Sequence, residues 1–235
     1  MRDTSSCGGS NRSAQGEVDR IVSHFQSLGL RYDFEPPAEH RYTSATLIVC
    51  DAVLSIHRKY KEFVLPRIDI LRQKNLDQKS LSELVKLIET KGDMAFTRVW
   101  DYEYLDRVKT LKNLASRFLE MKQTSGISGD LEALHEWGRT TAVEDFDRFK
   151  VPGIGLATFQ YLRILCGSET VKPDIHLRQA VADGLNRKIS DDRKVIALLE
   201  AAARKMGVPA KRLDYAIWDR YSTNSRNSAK CSRTS

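Results

Sequence analysis

The chain has 235 residues, 41% hydrophobic and 29% charged, which is enough apolar material for one or two small globular domains and too much for a disordered protein. Thirty-eight Lys and Arg against thirty-one Asp and Glu give a formal charge of +7, which favours an anionic partner without naming one. No apolar run reaches the roughly 18 residues of a membrane span, no signal segment opens the chain, and four scattered cysteines make no disulfide framework; a cytoplasmic protein is expected.

Residues 1–16 are rich in Ser and Gly without periodicity and are expected to be disordered. From Glu17 to Leu28 the residues Val18, Ile21, Val22, Phe25 and Leu28 recur at helical spacing, and Gly29 suits a C-cap. Arg31 to His40, with Pro36-Pro37, reads as a loop leading to Tyr42. Ala45 to Lys59 is apolar on most of its surface until His57, so a helix through the centre of the protein with a polar emerging end is expected. Phe63 to Leu71 holds Pro66 and reads as bent or broken. Ser80 to Thr90 carries Leu81, Leu84, Val85 and Ile88 on one face, with Gly92 beyond its end.

Phe96, Trp100, Tyr102 and Tyr104 form an aromatic cluster, which packs a core or stacks on a base. Leu105 to Leu119 is a long amphipathic helix with Arg107, Lys109, Lys112 and Arg117 exposed. Ser125 to Gly129 is a loop, and Leu131 to Trp137 a short helix.

Thr141 and Glu144 make a capping-box pattern for a helix ending near Val151. Pro152-Gly153-Ile154-Gly155 cannot continue it, because Pro lacks a donor and the two glycines permit the positive φ of a very tight turn. A second helix runs from near Leu156 through Phe159, Leu162 and Leu165 to Cys166-Gly167. Such a unit either holds a phosphate on the exposed N–H groups of its second helix or is a plain tight connection. Twenty-one residues after Gly153, Val171-Lys172-Pro173-Asp174-Ile175-His176 sets a carboxylate at the start of another helix. That helix runs to Gly184; Ser190 caps the next, which Gly207 ends, and Pro209 opens the last. Residues 222–235 are polar and basic and are expected to be a disordered tail. No alternating β pattern appears, so the fold class is all-α.

PGIGLAT, a short helix and then a Pro-Asp-x-His helix start resemble the helix-hairpin-helix DNA glycosylase superfamily in order and spacing. The resemblance covers about residues 40–220. It implies two helical subdomains flanking a cleft, one about 60–167, the other about 17–59 plus 168–221. It assigns the grip on the phosphate backbone of double-stranded DNA to Pro152, Gly153, Ile154, Gly155 and Ala157, and it sets Asp174 against the sugar of a flipped nucleotide. In LSIHR it puts His57 or Arg58 into the gap left by the base, against the plainer reading of a solvated helix end.

Strand-cutting members carry a lysine two residues after the second glycine. Here Ala157 stands there, so the resemblance is to a monofunctional member in which water attacks the sugar. Cys231 is the only cysteine beyond Asp174, so the iron–sulfur loop of one branch has no counterpart. No cofactor and no catalytic metal are implied; a Na⁺ or K⁺ ion on the backbone of residues 150–155 is.

Breaking an N-glycosidic bond develops positive charge on the sugar, so Asp174 would stabilise that charge and activate water. Lys172 either lowers the Asp174 pKa or points to solvent, and His176 braces local structure. The implied protein is a monomeric DNA glycosylase, nucleoid-associated if bacterial, that leaves an abasic site. Its expected target is an altered base, with a hypermodified base of phage DNA, and hence antiviral defence, set against alkylated or deaminated bases and DNA repair. The alternative is a non-catalytic hairpin DNA-binding module, which has no use for Asp174.

Overall fold

A computed structural model describes residues 9–32 and 42–231, and all regular structure among them is helical. The loop expected over Arg31 to His40 lies mostly outside the described residues, as do residues 1–8 and 232–235. In chain order the helices are α1 (Gly9–Ser27), α2 (Ala45–Leu54), α3 (Leu65–Gln73), α4 (Leu81–Lys91), α5 (Asp93–Thr97) and α6 (Leu105–Ser125). Then follow α7 (Asp130–Thr140), α8 (Phe146–Phe149), α9 (Leu156–Leu165), α10 (Ile175–Leu185), α11 (Asp192–Met206) and α12 (Ala210–Cys231).

The chain divides into two compact units, one of residues 1–36 and 169–235, the other of residues 37–168. The division falls at 36/37 rather than near 59/60 because α2 belongs wholly to the second unit. All ten α2 residues are buried, and the helix packs on α6 and α9. In the first unit α1 packs on α10 and α11, and α12 on α10. Ile21, Phe25, Leu177, Val181, Leu199, Leu213 and Ile217 are buried there, each contributing about 1.5–3 kcal/mol on leaving water.

Both terminal segments depart from expectation: residues 9–16 open α1 and 222–231 close α12 as helix. Neither stretch has apolar spacing, but extending an anchored helix avoids the nucleation cost. Pro66 breaks nothing, since it sits in the first turn of α3 where its missing N–H is not needed; the irregularity is the π-helical turn Tyr60–Val64 before it. Ser80 and Glu83 form the capping box of α4. The box expected of Thr141 and Glu144 falls one residue later, with Asp145 accepting the Ala142 N–H at 2.8 Å. Asp191, not Ser190, caps α11, accepting the Arg193 N–H at 2.9 Å.

At the centre of the second unit, α2 carries one charged side chain, Asp51, fully buried. Three tyrosines donate to it: Tyr42 and Tyr60 (3.0 Å) to Oδ2, and Tyr161 of α9 to Oδ1 at 2.9 Å. Burial and the Asp51 charge push all three phenols up. Cys50 and Cys166 are also buried in this unit, and burial holds both thiols well above the usual thiol range.

Candidate functional site

A tight turn over residues 150–155 joins α8, which ends at Phe149 rather than near Val151, to α9. Lys150 takes a left-handed conformation (φ 45°), and Val151 O accepts the Ile154 N–H at 3.1 Å. Val151 and Ile154 are buried as anchors, while Pro152, Gly153 and Gly155 are exposed. The two glycines are not equivalent. Gly153 has φ 87°, and a Cβ there would lie 2.3 Å from Thr110 Oγ1 on α6. Gly155 has φ −86°, open to any residue, and a Cβ there would meet nothing within 4 Å; of the two glycines that permit a positive φ, only Gly153 adopts one.

Gly155 is the N-cap of α9 and offers no side-chain acceptor, so the first N–H groups of that helix are left for an outside acceptor. Ala157 is half-buried in its first turn. Beside the hairpin lies a groove of about 400 Å³ whose lining includes Asn113, Ser116, Arg117, Arg148, Lys150 and Pro152. Tyr161, in the second turn of α9, ties the unit to α2 through Asp51. The turn is thus tied to the core. Residues 150–155 contain no carboxylate and offer backbone carbonyl oxygens as cation donors, a set that suits a weakly held monovalent ion. Among the described residues no three His, Cys, Asp or Glu side chains come together as metal ligands.

At the far end of α2, His57 is exposed with φ 57°. That conformation is unusual for a residue other than glycine. Arg58, by contrast, is held: it donates to the Tyr102 hydroxyl at 3.0 Å and lies 5.3 Å from the centre of the Phe63 ring. Of the two wedge candidates, His57 is the one whose side chain makes no bond with a described residue. Phe96, Trp100 and Tyr102 pack as core; Tyr104 alone is exposed, at 48%.

In the first unit Asp174 is the N-cap of α10. Its Oδ1 accepts the His176 and Leu177 N–H groups at 2.9 and 3.0 Å. Its Oδ2 makes no hydrogen bond with a described residue, and Ile175 beside it is 74% exposed. The segment that delivers Asp174 is fixed rung by rung. Lys211 of α12 pairs with Glu169 at 2.7 Å, Thr170 donates to Glu200 of α11 at 2.7 Å, and the Lys172 N–H donates to Asp214 of α12 at 2.6 Å. The Asp174 N–H closes a tight turn onto Lys172 O at 2.7 Å. Lys172 therefore holds this segment through its backbone N–H and carbonyl oxygen. Burial, then the nearby Asp174 charge, push the Asp214 carboxyl up to about 7, although the Lys172 N–H holds it down.

Sequence reasoning missed Asp214 and Asp51. A lone charge in the apolar run of α2 was a signal for the second; Asp214, in an ordinary amphipathic helix, gave none. Compared with curated proteins and with solved structures, the chain matches none. A family described as "Domain of unknown function (DUF8548)" matches residues 19–222, a span that takes in the hairpin, Asp174 and Asp214. The chain belongs to that family.

Proposed function

We propose that the protein is a monofunctional DNA glycosylase that flips an altered base out of a duplex and hydrolyses its N-glycosidic bond. The observation that carries this is Asp174: one oxygen is spent on capping α10, and the other is left for water or sugar. Asp174 is half-buried rather than sealed off, so that second oxygen remains within reach of solvent. In the reaction, the C1′–N bond breaks with its electron pair leaving on the base, and Asp174 offsets the positive charge on the sugar. Water adds to C1′ and gives one proton to Asp174, from which it passes to the base or solvent.

The exposed hairpin residues Pro152, Gly153 and Gly155, with the first N–H groups of α9, hold a phosphate beside the target nucleotide. His57, held out at positive φ, fills the gap in the duplex. Ala157 offers no amine, so no covalent intermediate forms at that position, and the product is an abasic site. A monovalent cation on the hairpin carbonyls would support the phosphate grip; the chemistry itself consumes only water.

The target we favour is a bulky modified base in foreign DNA, because a flipped base presents its whole edge to an enzyme. The test is incubation with phage DNA carrying hypermodified bases, and separately with DNA containing uracil or alkylpurines, followed by mass spectrometry of what is released. Release from the second set alone leaves a repair enzyme. Binding without release from any set would leave a DNA-binding module.

A further inference from the structure

We propose that Asp214 is a positioning residue of the same site: from α12 it anchors the turn that presents Asp174 and adds a second negative charge behind it. This rests on the glycosylase reading of Asp174. The geometry is a relay of short bonds. Asp214 Oδ2 accepts the Lys172 N–H at 2.6 Å, Lys172 O accepts the Asp174 N–H at 2.7 Å, and Asp174 Oδ1 closes the first turn of α10. Pro173 between them has a fixed φ, which leaves the turn little freedom. Two other rungs, Glu169 with Lys211 and Thr170 with Glu200, already hold the segment to α11 and α12.

An anchor alone could have been neutral, as a serine or asparagine oxygen would be. Here it is a carboxylate, close enough to feel the Asp174 charge, and its second oxygen makes no hydrogen bond with a described residue. The charged groups acting on it are Asp174 and Lys172 from the segment entering α10. From α11, Glu200 is engaged by Thr170, and on α12 Lys211 is engaged by Glu169. Burial, and then the Asp174 charge, push its carboxyl up to about 7, so the second charge grows as pH rises through neutrality. A cationic sugar would feel two negative charges above that pH and one below it.

The experiment uses the full chain and two duplex probes, one with a cationic pyrrolidine in place of a nucleotide, the other with its neutral tetrahydrofuran counterpart. The ratio of their affinities reads the site's negative charge without requiring the excised base to be known. In the wild type the preference for the cation should rise about three- to tenfold between pH 6 and pH 8. Asp214→Asn, which keeps an oxygen for the Lys172 N–H, should abolish that rise, and Asp174→Asn should remove most of the preference at every pH. Asp214→Leu, which loses the anchor, should lower the preference at pH 6 as well. No preference in the wild type would sink the glycosylase reading itself. A preference that is flat with pH, or that rises equally in Asp214→Asn, would overturn the role of Asp214 and leave Asp174 standing. Should Asp214→Asn unfold, carboxyl-carbon NMR of the wild type and Asp174→Asn decides. The Asp214 pKa should fall when the neighbouring charge is removed, and an unmoved value would refute the coupling.

Discussion

Asp174→Asn retains an oxygen at the N-cap of α10, so the helix start should survive while the charge is lost. Base release should drop about 100-fold or more, with duplex affinity nearly unchanged. Excision at the wild-type rate would assign Asp174 to capping alone. Asp51 answers to a different measurement. With three phenols aimed at one buried carboxylate, Asp51→Asn turns an acceptor into a partial donor, and denaturant unfolding should show a loss of roughly 2–4 kcal/mol; a loss below that range would mean the phenols find other partners.

Asp214 runs the other way. Its folded pKa near 7 lies above the ordinary carboxylate value of 3.8, so the native state holds a proton that the unfolded chain releases. That contribution to stability is full below the unfolded value and is lost as pH rises through 7. Asp214→Asn has no such loss and should be more stable than the wild type at pH 8 by roughly 1–3 kcal/mol. The gap should narrow as pH falls to 5, and thermal unfolding at the two pH values checks it. An equal gap at both would place the Asp214 ionisation elsewhere.

The turn between α8 and α9 was the most legible element, because its backbone demands particular residue types: a proline and glycines between two apolar helices admit few conformations. What spacing could not reveal was that only Gly153 is conformationally required, since the obstacle is Thr110, more than forty residues earlier in the chain. That difference separates fold from function. Gly153→Ala should destabilise the protein by about 1–3 kcal/mol through strain and a clash with α6. Gly155→Val should leave stability close to wild type yet weaken binding to all duplex sequences alike, because a side chain there stands where a phosphate would approach. Sequence-dependent losses in Gly155→Val would argue against a phosphate contact. The wedge candidates separate in the same fashion: His57 and Arg58 are neighbours in sequence, but Arg58 is taken by Tyr102 and Phe63, a pairing no local pattern announces.

For the whole molecule, the all-helical class followed from helical periodicity and the lack of a β pattern, and several helix ends from glycines such as Gly92 and Gly207. The place where the chain divides did not. Helix α2 looked like part of the N-terminal segment until its burial against α6 and α9 joined it to the second unit. The lone charge of Asp51 could be seen in the sequence, but not its partners, which are spread from Tyr42 to Tyr161. With Ala157 at the lysine position, borohydride should trap no protein–DNA adduct from a reaction that releases base, and gel analysis should show intact strands until the abasic sites are cleaved by alkali. A trapped adduct would mean another amine has taken the role.

The two buried thiols lend themselves to a kinetic use. Cys50 and Cys166 both lie inside the second unit, and neither reacts while it is closed. In a chain with Cys7 and Cys231 replaced by serine, the rate at which a thiol reagent modifies Cys50 and Cys166 becomes a clock for the opening of that unit alone. Bound duplex should slow the clock if the hairpin is gripped, since any ligand of the closed form lowers the population that opens. The protection it confers would report occupancy without a label on the DNA.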